Sequence, residues 1–219
     1  MSTHQQTEPA TVPSGASIGS DASAQRVLLV YATRHGSTRE VADAVAEALR
    51  AAGCEVDQRA AGDAPGPAGY DALVIGGPMI MGWHRQAMRY LKAHRAELQS
   101  VPTALFITAA SLTDTGETEV DGVPILKDPR VAKAPRTSGK LRYRESYALP
   151  SHYLGDVLKK ATPLRPKSVA FFGGCLDLTT MNIFEKLFVL LAVGATPGDG
   201  RHWELIRSWG AGLAEELKG

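Results

Sequence analysis

RVLLVYATRHGSTREVADAVAEALRAAG, residues 26–53, changes character twice within 28 positions. RVLLVYAT is a short run of β-branched and apolar residues, the pattern of a strand covered on both faces. After RHGS, the residues Val41, Val45, Ala48, Leu49 and Ala52 recur at helical spacing, and Gly53 stands where a C-cap belongs. Between strand and helix lies the turn Thr33-Arg34-His35-Gly36-Ser37-Thr38. Its chemistry suits a phosphate dianion. Unpaired backbone N–H groups and the positive end of the helix favour an anion, and Gly36 lets the backbone approach closely. Thr33, Ser37 and Thr38 can add hydroxyl hydrogen bonds. The competing structural reading is a capping box, in which Ser37 and Glu40 serve the helix instead of a ligand. The chain has no G-x-x-x-x-G-K-[ST] for a nucleoside triphosphate, and strand one is not followed by the G-x-G-x-x-G of a dinucleotide site. A mononucleotide fits better.

Outward from this turn the alternation continues. CEVDQR reads as a weaker strand, DALVIGG as a buried one, QAMRYLKAHRAEL as a helix, and PTALFITAA and KSVAFFGG as further strands. Five strands with intervening helices predict an α/β fold with a parallel sheet. Right-handed crossovers place helices on both faces and the ligand at the carboxyl ends of the strands, so the loops after strands one, three and four matter most.

The stretch from Ser111 to Pro166 is too long for an ordinary connection, and within it only SHYLGDVLKKA looks helical. The remainder reads as an insertion over about 113–150. Lys127, Arg130, Lys133, Arg136, Lys140, Arg142 and Arg144 face only Asp128 in the segment 127–144, a local net of +6. That segment is either a solvated loop or an anion-attracting flap, for substrate carboxylates or acidic lipid headgroups. MNIFEKLFVLLAVG, residues 181–194, is too short, and too charged at Glu185 and Lys186, to span a bilayer. It reads as a buried helix or as an apolar surface docking on a membrane. HWELIRSWGAGLAEEL closes the chain as an amphipathic helix, with Trp203, Ile206, Trp209 or Gly210, Leu213 and Leu217 in one stripe.

Composition narrows the classes. The 219 residues suit one domain over 26–219, preceded by a polar, Ser/Gly/Pro-rich tail over 1–25 that cannot repay its ordering entropy. That tail lacks the basic and apolar regions of a secretory signal. With 24 Lys and Arg against 23 Asp and Glu, the whole-molecule field offers nothing to nucleic acid, and no such partner is expected. Cys54 and Cys175 form neither a disulfide framework nor a zinc motif, so no metal is expected and a reducing cytoplasm fits.

VLLVYATRHGSTREVADAVAEAL resembles the opening of the flavodoxins, and most closely that of the flavodoxin-type protoporphyrinogen dehydrogenases, whose loop reads T-R-D-G-x-T. Further points of similarity are IGGPMIMGWHR, with Gly82 at the ring-loop glycine, then TALFITAASL, and a late apolar helix followed by a Gly/Thr/Asp turn and a Trp-containing last helix. Two positions depart from the family pattern: His35 replaces its Asp, and Ile80 stands where an Arg is frequent. The resemblance implies a flavodoxin-like sheet in the order 2-1-3-4-5, with the insertion between strands 4 and 5, and flavin mononucleotide (FMN) at its C-terminal edge. It implies phosphate binding by Thr33, Arg34, His35, Gly36, Ser37 and Thr38. The isoalloxazine would be flanked by Pro78, Met79, Ile80, Met81, Gly82 and Trp83 and by Ala109, Ala110, Ser111 and Leu112. Trp83 would stack on the ring or serve as a core aromatic.

The function so implied is an FMN-dependent oxidoreductase that passes hydride or electrons from a reduced small molecule, porphyrinogens included, to a quinone or other acceptor. Its expected location is cytoplasmic, with peripheral contact at the inner face of the membrane. One alternative is an electron carrier that docks a redox protein. The other is a flavodoxin scaffold turned to a tetrapyrrole, for which Met79, Met81, His84 and His35 offer ligands. No side chain stands out as a catalytic acid or base; His84 is a proton carrier or a loop residue.

Overall fold

A computed structural model of the chain describes residues 24–80, 82–137, 139–176 and 198–218. The expected N-terminal tail, apart from its last two residues, and the apolar segment 181–194 lie outside the described residues. The frame is β1 (Arg26–Tyr31), α1 (Ser37–Ala51), β2 (Glu55–Ala60), β3 (Ala72–Pro78), α2 (Arg85–Ala93) and β4 (Thr103–Ala109). Within the insertion come β5 (Leu112–Thr113), β6 (Glu119–Val120), β7 (Val123–Lys127), β8 (Ala132–Lys133) and α3 (Tyr143–Tyr147). The chain then runs through α4 (Pro150–Ala161), β9 (Ser168–Gly173), β10 (Cys175–Leu176), β11 (Gly198–Asp199) and α5 (Trp203–Glu216).

The main sheet has the order β2-β1-β3-β4-β9-β7-β6. Its first five strands are parallel and follow the expected 2-1-3-4-5 order. Alternate side chains serve two cores. Leu28, Val30, Leu73, Ile75, Leu105, Ile107, Val169 and Phe171 pack under α2 and α4. Val27, Leu29, Val74, Phe106, Ala170 and Phe172 pack under α1 and α5, with Val41, Val45, Leu49, Ile206, Trp209 and Leu213. Burial on both faces explains why these strands read as continuous apolar runs. Gly76 is required by the second core, since a Cβ there would lie 1.9 Å from Cζ of Phe106.

The insertion departs from the expectation of a five-stranded sheet carrying a loop or flap. Its strand β7 joins the sheet parallel to β9, with Ile125 opposite Val169 and Lys127 opposite Phe171, and β6 pairs antiparallel to β7. The fully buried carboxylate of Asp128 fastens the end of β7, accepting from the N–H groups of Arg130 at 2.9 Å and Gly173 at 3.2 Å. Two of the seven cations are spent on this framework: Lys127 pairs with Asp114, and Arg130 donates to the carbonyl of Arg201 at 2.9 Å.

Candidate functional site

The loops after β1, β3 and β4 meet at the carboxyl edge of the sheet, as strand order requires. After β1, Gly36 takes φ +89°, a left-handed value suited to glycine, and no atom lies within 4 Å of where its Cβ would stand. Thr33 Oγ1 accepts the Gly36 N–H at 3.0 Å and closes the turn. Gly36 is then the N-cap of α1, with its carbonyl taking the N–H groups of Arg39 at 2.9 Å and Glu40 at 3.3 Å. The capping box of Ser37 and Glu40 is therefore not formed. The N–H groups of Ser37 and Thr38 and the Ser37 hydroxyl take no partner among the described residues. Two open helix N–H groups, an open hydroxyl and a glycine clearing form a cradle for an anion.

Thr38 is turned the other way. It is buried, and its hydroxyl lies 3.1 Å from that of Thr108 near the end of β4. The carbonyl of Thr108 in turn accepts the Met79 N–H at 2.8 Å. One residue of β4 thus ties the phosphate-type turn to the loop after β3, although sequence reading gave Thr108 no role.

That second loop folds back on itself. Met79 and Trp83 pair as an antiparallel bridge, Ile80 N–H donates to the Gly82 carbonyl at 3.1 Å, and Gly82 takes φ +113°. Trp83 is only 7% exposed, and its indole N–H donates to the Gly77 carbonyl at 3.0 Å. It is a core aromatic rather than a presented stacking face; among the described residues of the loop the exposed apolar side chain is Ile80, at 42%. Met81 lies outside the described residues. His84 caps α2, its Nδ1 accepting the Gln86 N–H at 3.3 Å. Burial, and then the charge of Arg34, lower its pKa, so the ring stays neutral at pH 7 and keeps the lone pair that the cap needs. This is a structural duty for Nδ1.

After β4, Ala109 is buried and Ala110 exposed, while Ser111 is half-buried. Leu112 turns inward, its N–H bonded to the Val131 carbonyl at 3.0 Å. Of the described sequence-predicted ring neighbours, Pro78, Ile80, Gly82, Ala110 and Ser111 reach the surface, and Met79, Trp83, Ala109 and Leu112 support them from within. Asp199 and Arg201 form a further group close to α1 that sequence reading passed over. Arg201 reaches Glu40 in the first turn of α1 across 161 residues, a separation that no local motif could signal.

These features define a doubly wound α/β protein whose sheet edge carries an anion cradle beside a glycine-built surface loop. Residues 28–199 match the flavodoxin domain, and the chain belongs to that family. FMN is the cofactor of this class, and the open cradle after β1 fits its phosphate. The protoporphyrinogen IX dehydrogenase [quinone] of Escherichia coli K12 is 31% identical over 84 residues, 37% of this chain and 46% of that protein. The chain thus spans about half the length of the curated relatives it matches. Among solved structures, the two-electron reduced flavodoxin of Megasphaera elsdenii aligns with TM-score 0.45 and 13% identity over 86% of this chain and 98% of its own. The rubredoxin oxygen:oxidoreductase of Desulfovibrio gigas aligns with TM-score 0.46 and 14% identity over 89% of this chain and 36% of its own. No helix among the described residues is long and apolar enough to cross a membrane.

Proposed function

We propose that the chain is an FMN-dependent oxidoreductase that takes electrons or hydride from a reduced small molecule, with porphyrinogens as the first class to try, and delivers them to a quinone or another acceptor. The observation that carries this reading is the convergence on Thr108. Its side chain meets Thr38 in the phosphate-type turn, and its carbonyl holds Met79 at the start of the loop that would flank the flavin. The bound flavin supplies the redox chemistry. Ser37 and the N–H groups of Ser37 and Thr38 hold the phosphate. Ile80 and Gly82 border the ring on one side and Ala110 and Ser111 on the other. Neutral His84 fixes the start of α2 and so the position of the ring loop.

An enzyme with its own substrate is favoured over a pure carrier by the similarity to a quinone-linked dehydrogenase and by the ordered insertion directly after the β4 loop. Exposed Lys133, Arg136, Lys140 and Arg142 belong to the same insertion as Tyr143, itself 86% exposed, and this basic stretch suits contact with anionic headgroups where a lipid quinone resides.

The test is an FMN titration followed by flavin absorbance and fluorescence. Wild type should bind, and Ser37→Ala should bind at least ~10-fold more weakly, as loss of one charge-assisted hydrogen bond to the phosphate implies. Reduced holoprotein should then be reoxidised by a menaquinone analogue. Binding without any quinone reaction would make the chain a carrier, and a haem Soret band without flavin would make it a tetrapyrrole scaffold.

A further inference from the structure

Arg201 is one of the few buried charges of the described residues, at 8% exposure, and every part of its guanidinium is engaged. Nε and Nη2 donate to the two carboxylate oxygens of Asp199, each at 2.8 Å, and Nη1 donates to Oε2 of Glu40 at 2.8 Å. The group also lies 4.5 Å from the ring centre of Trp203. Its backbone is just as fixed. The neighbouring Gly200 N–H donates to the Gly174 carbonyl at 3.1 Å, and a Cβ on Gly173 would fall 2.0 Å from the Gly200 carbonyl oxygen. The segment 198–201 is therefore pressed onto the end of β9 while Arg201 reaches back to α1.

The point it reaches is chemically telling. Glu40 stands in the first turn of α1, three residues after Ser37, on the turn whose open N–H groups form the anion cradle. A carboxylate there suits an empty helix terminus but opposes a phosphate dianion at the same N–H groups. Glu40 is 58% exposed on its side chain and is not needed for a capping box, so its side-chain partner among the described residues is the arginine.

We infer that Arg201 is a positioning residue for the cofactor: it neutralises Glu40 and draws that carboxylate away from the cradle, so that the first turn of α1 can accept a phosphate. Asp199 holds the guanidinium for this task. The assignment rests on the FMN reading above and deepens it by adding charge control from the far end of the chain.

The experiment is FMN titration of the full chain with Glu40→Gln, Arg201→Gln and both together, at low and high salt, with thermal melts of each apoprotein. Glu40→Gln removes the net negative charge of the Asp199–Arg201–Glu40 group, leaving a neutral Arg201–Asp199 pair, and should tighten FMN severalfold. Arg201→Gln should weaken it about tenfold, the size expected for one partly screened like charge in the same turn. The double variant should return to within about threefold of wild type, and the single-variant effects should shrink at high salt. If Arg201→Gln does not fold, Glu40→Gln alone decides. Binding by wild type with no tightening in Glu40→Gln, or a loss in Arg201→Gln that the double variant does not repair, overturns the inference. Absence of FMN binding by wild type overturns the reading beneath it.

Discussion

The turn over residues 33–38 and the insertion after β4 sit on the same edge of the sheet, and they solve the same problem in opposite ways. The turn is short, and one left-handed glycine with a threonine hydroxyl fixes it while leaving two helix N–H groups open. The insertion is several times longer, and it closes its backbone groups on β9, on Val131 and on Ala148. A connection is stiff where its N–H and C=O groups find partners, not where it is brief. It is receptive where it leaves them unpaired, and by that measure the small turn is the receptive element and the large insertion is the framed one.

The sharpest test begins in the core beneath α1, which holds β3 beside β4. Gly76→Ala places a Cβ against the Phe106 ring and should cost about 3 kcal/mol or more by urea denaturation. A change under about 1 kcal/mol would mean that β3 and β4 can part more easily than the packing implies. Next in size is Asp128→Ala, which leaves the N–H groups of Arg130 and Gly173 without their buried acceptor. A loss of about 2 kcal/mol is expected, with faster hydrogen exchange over β6 and β7. If stability were unchanged, the insertion would be the flap that its basic sequence suggested. Thr108→Val probes the link between turn and ring loop. It should cost about 1 kcal/mol of stability while reducing FMN affinity more than it reduces stability.

The smallest effect concerns acid. Asp114 accepts from Lys127 and from the Gly116 N–H, and these bonds hold its carboxyl below the ordinary value. A group whose pKa folding lowers stabilises the fold above its unfolded pKa of ~3.9 and loses that contribution as pH falls through the folded value. Asp114 is partly exposed, so Asp114→Asn should remove less than about 1 kcal/mol at pH 7. The wild-type advantage over this variant should begin to shrink near pH ~4 and be lost only as pH falls through the lowered folded value, in paired melts.

Much of the frame was legible because its physics is local. Strands buried on both faces leave continuous apolar runs, and α1 declares itself by the spacing of Val41, Val45 and Leu49. The turn over residues 33–38, between β1 and α1, was readable for the same reason. What escaped depended on distant partners. β7 reads VPILK, and Pro124 with no alternation hides a strand that only β9 makes possible. Ser37 and Glu40 spelled a capping box, yet Arg201 claims the carboxylate and Gly36 takes the cap. Trp83 suited a stacking face by position, but the Gly77 carbonyl and the core beneath α2 draw it inward.

The added strands have a consequence for how copies of the protein meet in a crowded solution. Without β7, the strand β9 would end the sheet with a bare row of backbone donors and acceptors flanked by Val169, Phe171 and Phe172, a ready template for pairing with another chain. β7 occupies that row, and the rim passes to β6, two residues long. The opposite rim is β2, whose EVDQRA is charged and only half-buried. Among the described residues the insertion thus guards the edge of β9, leaving the sheet margins at β6 and β2 short or polar.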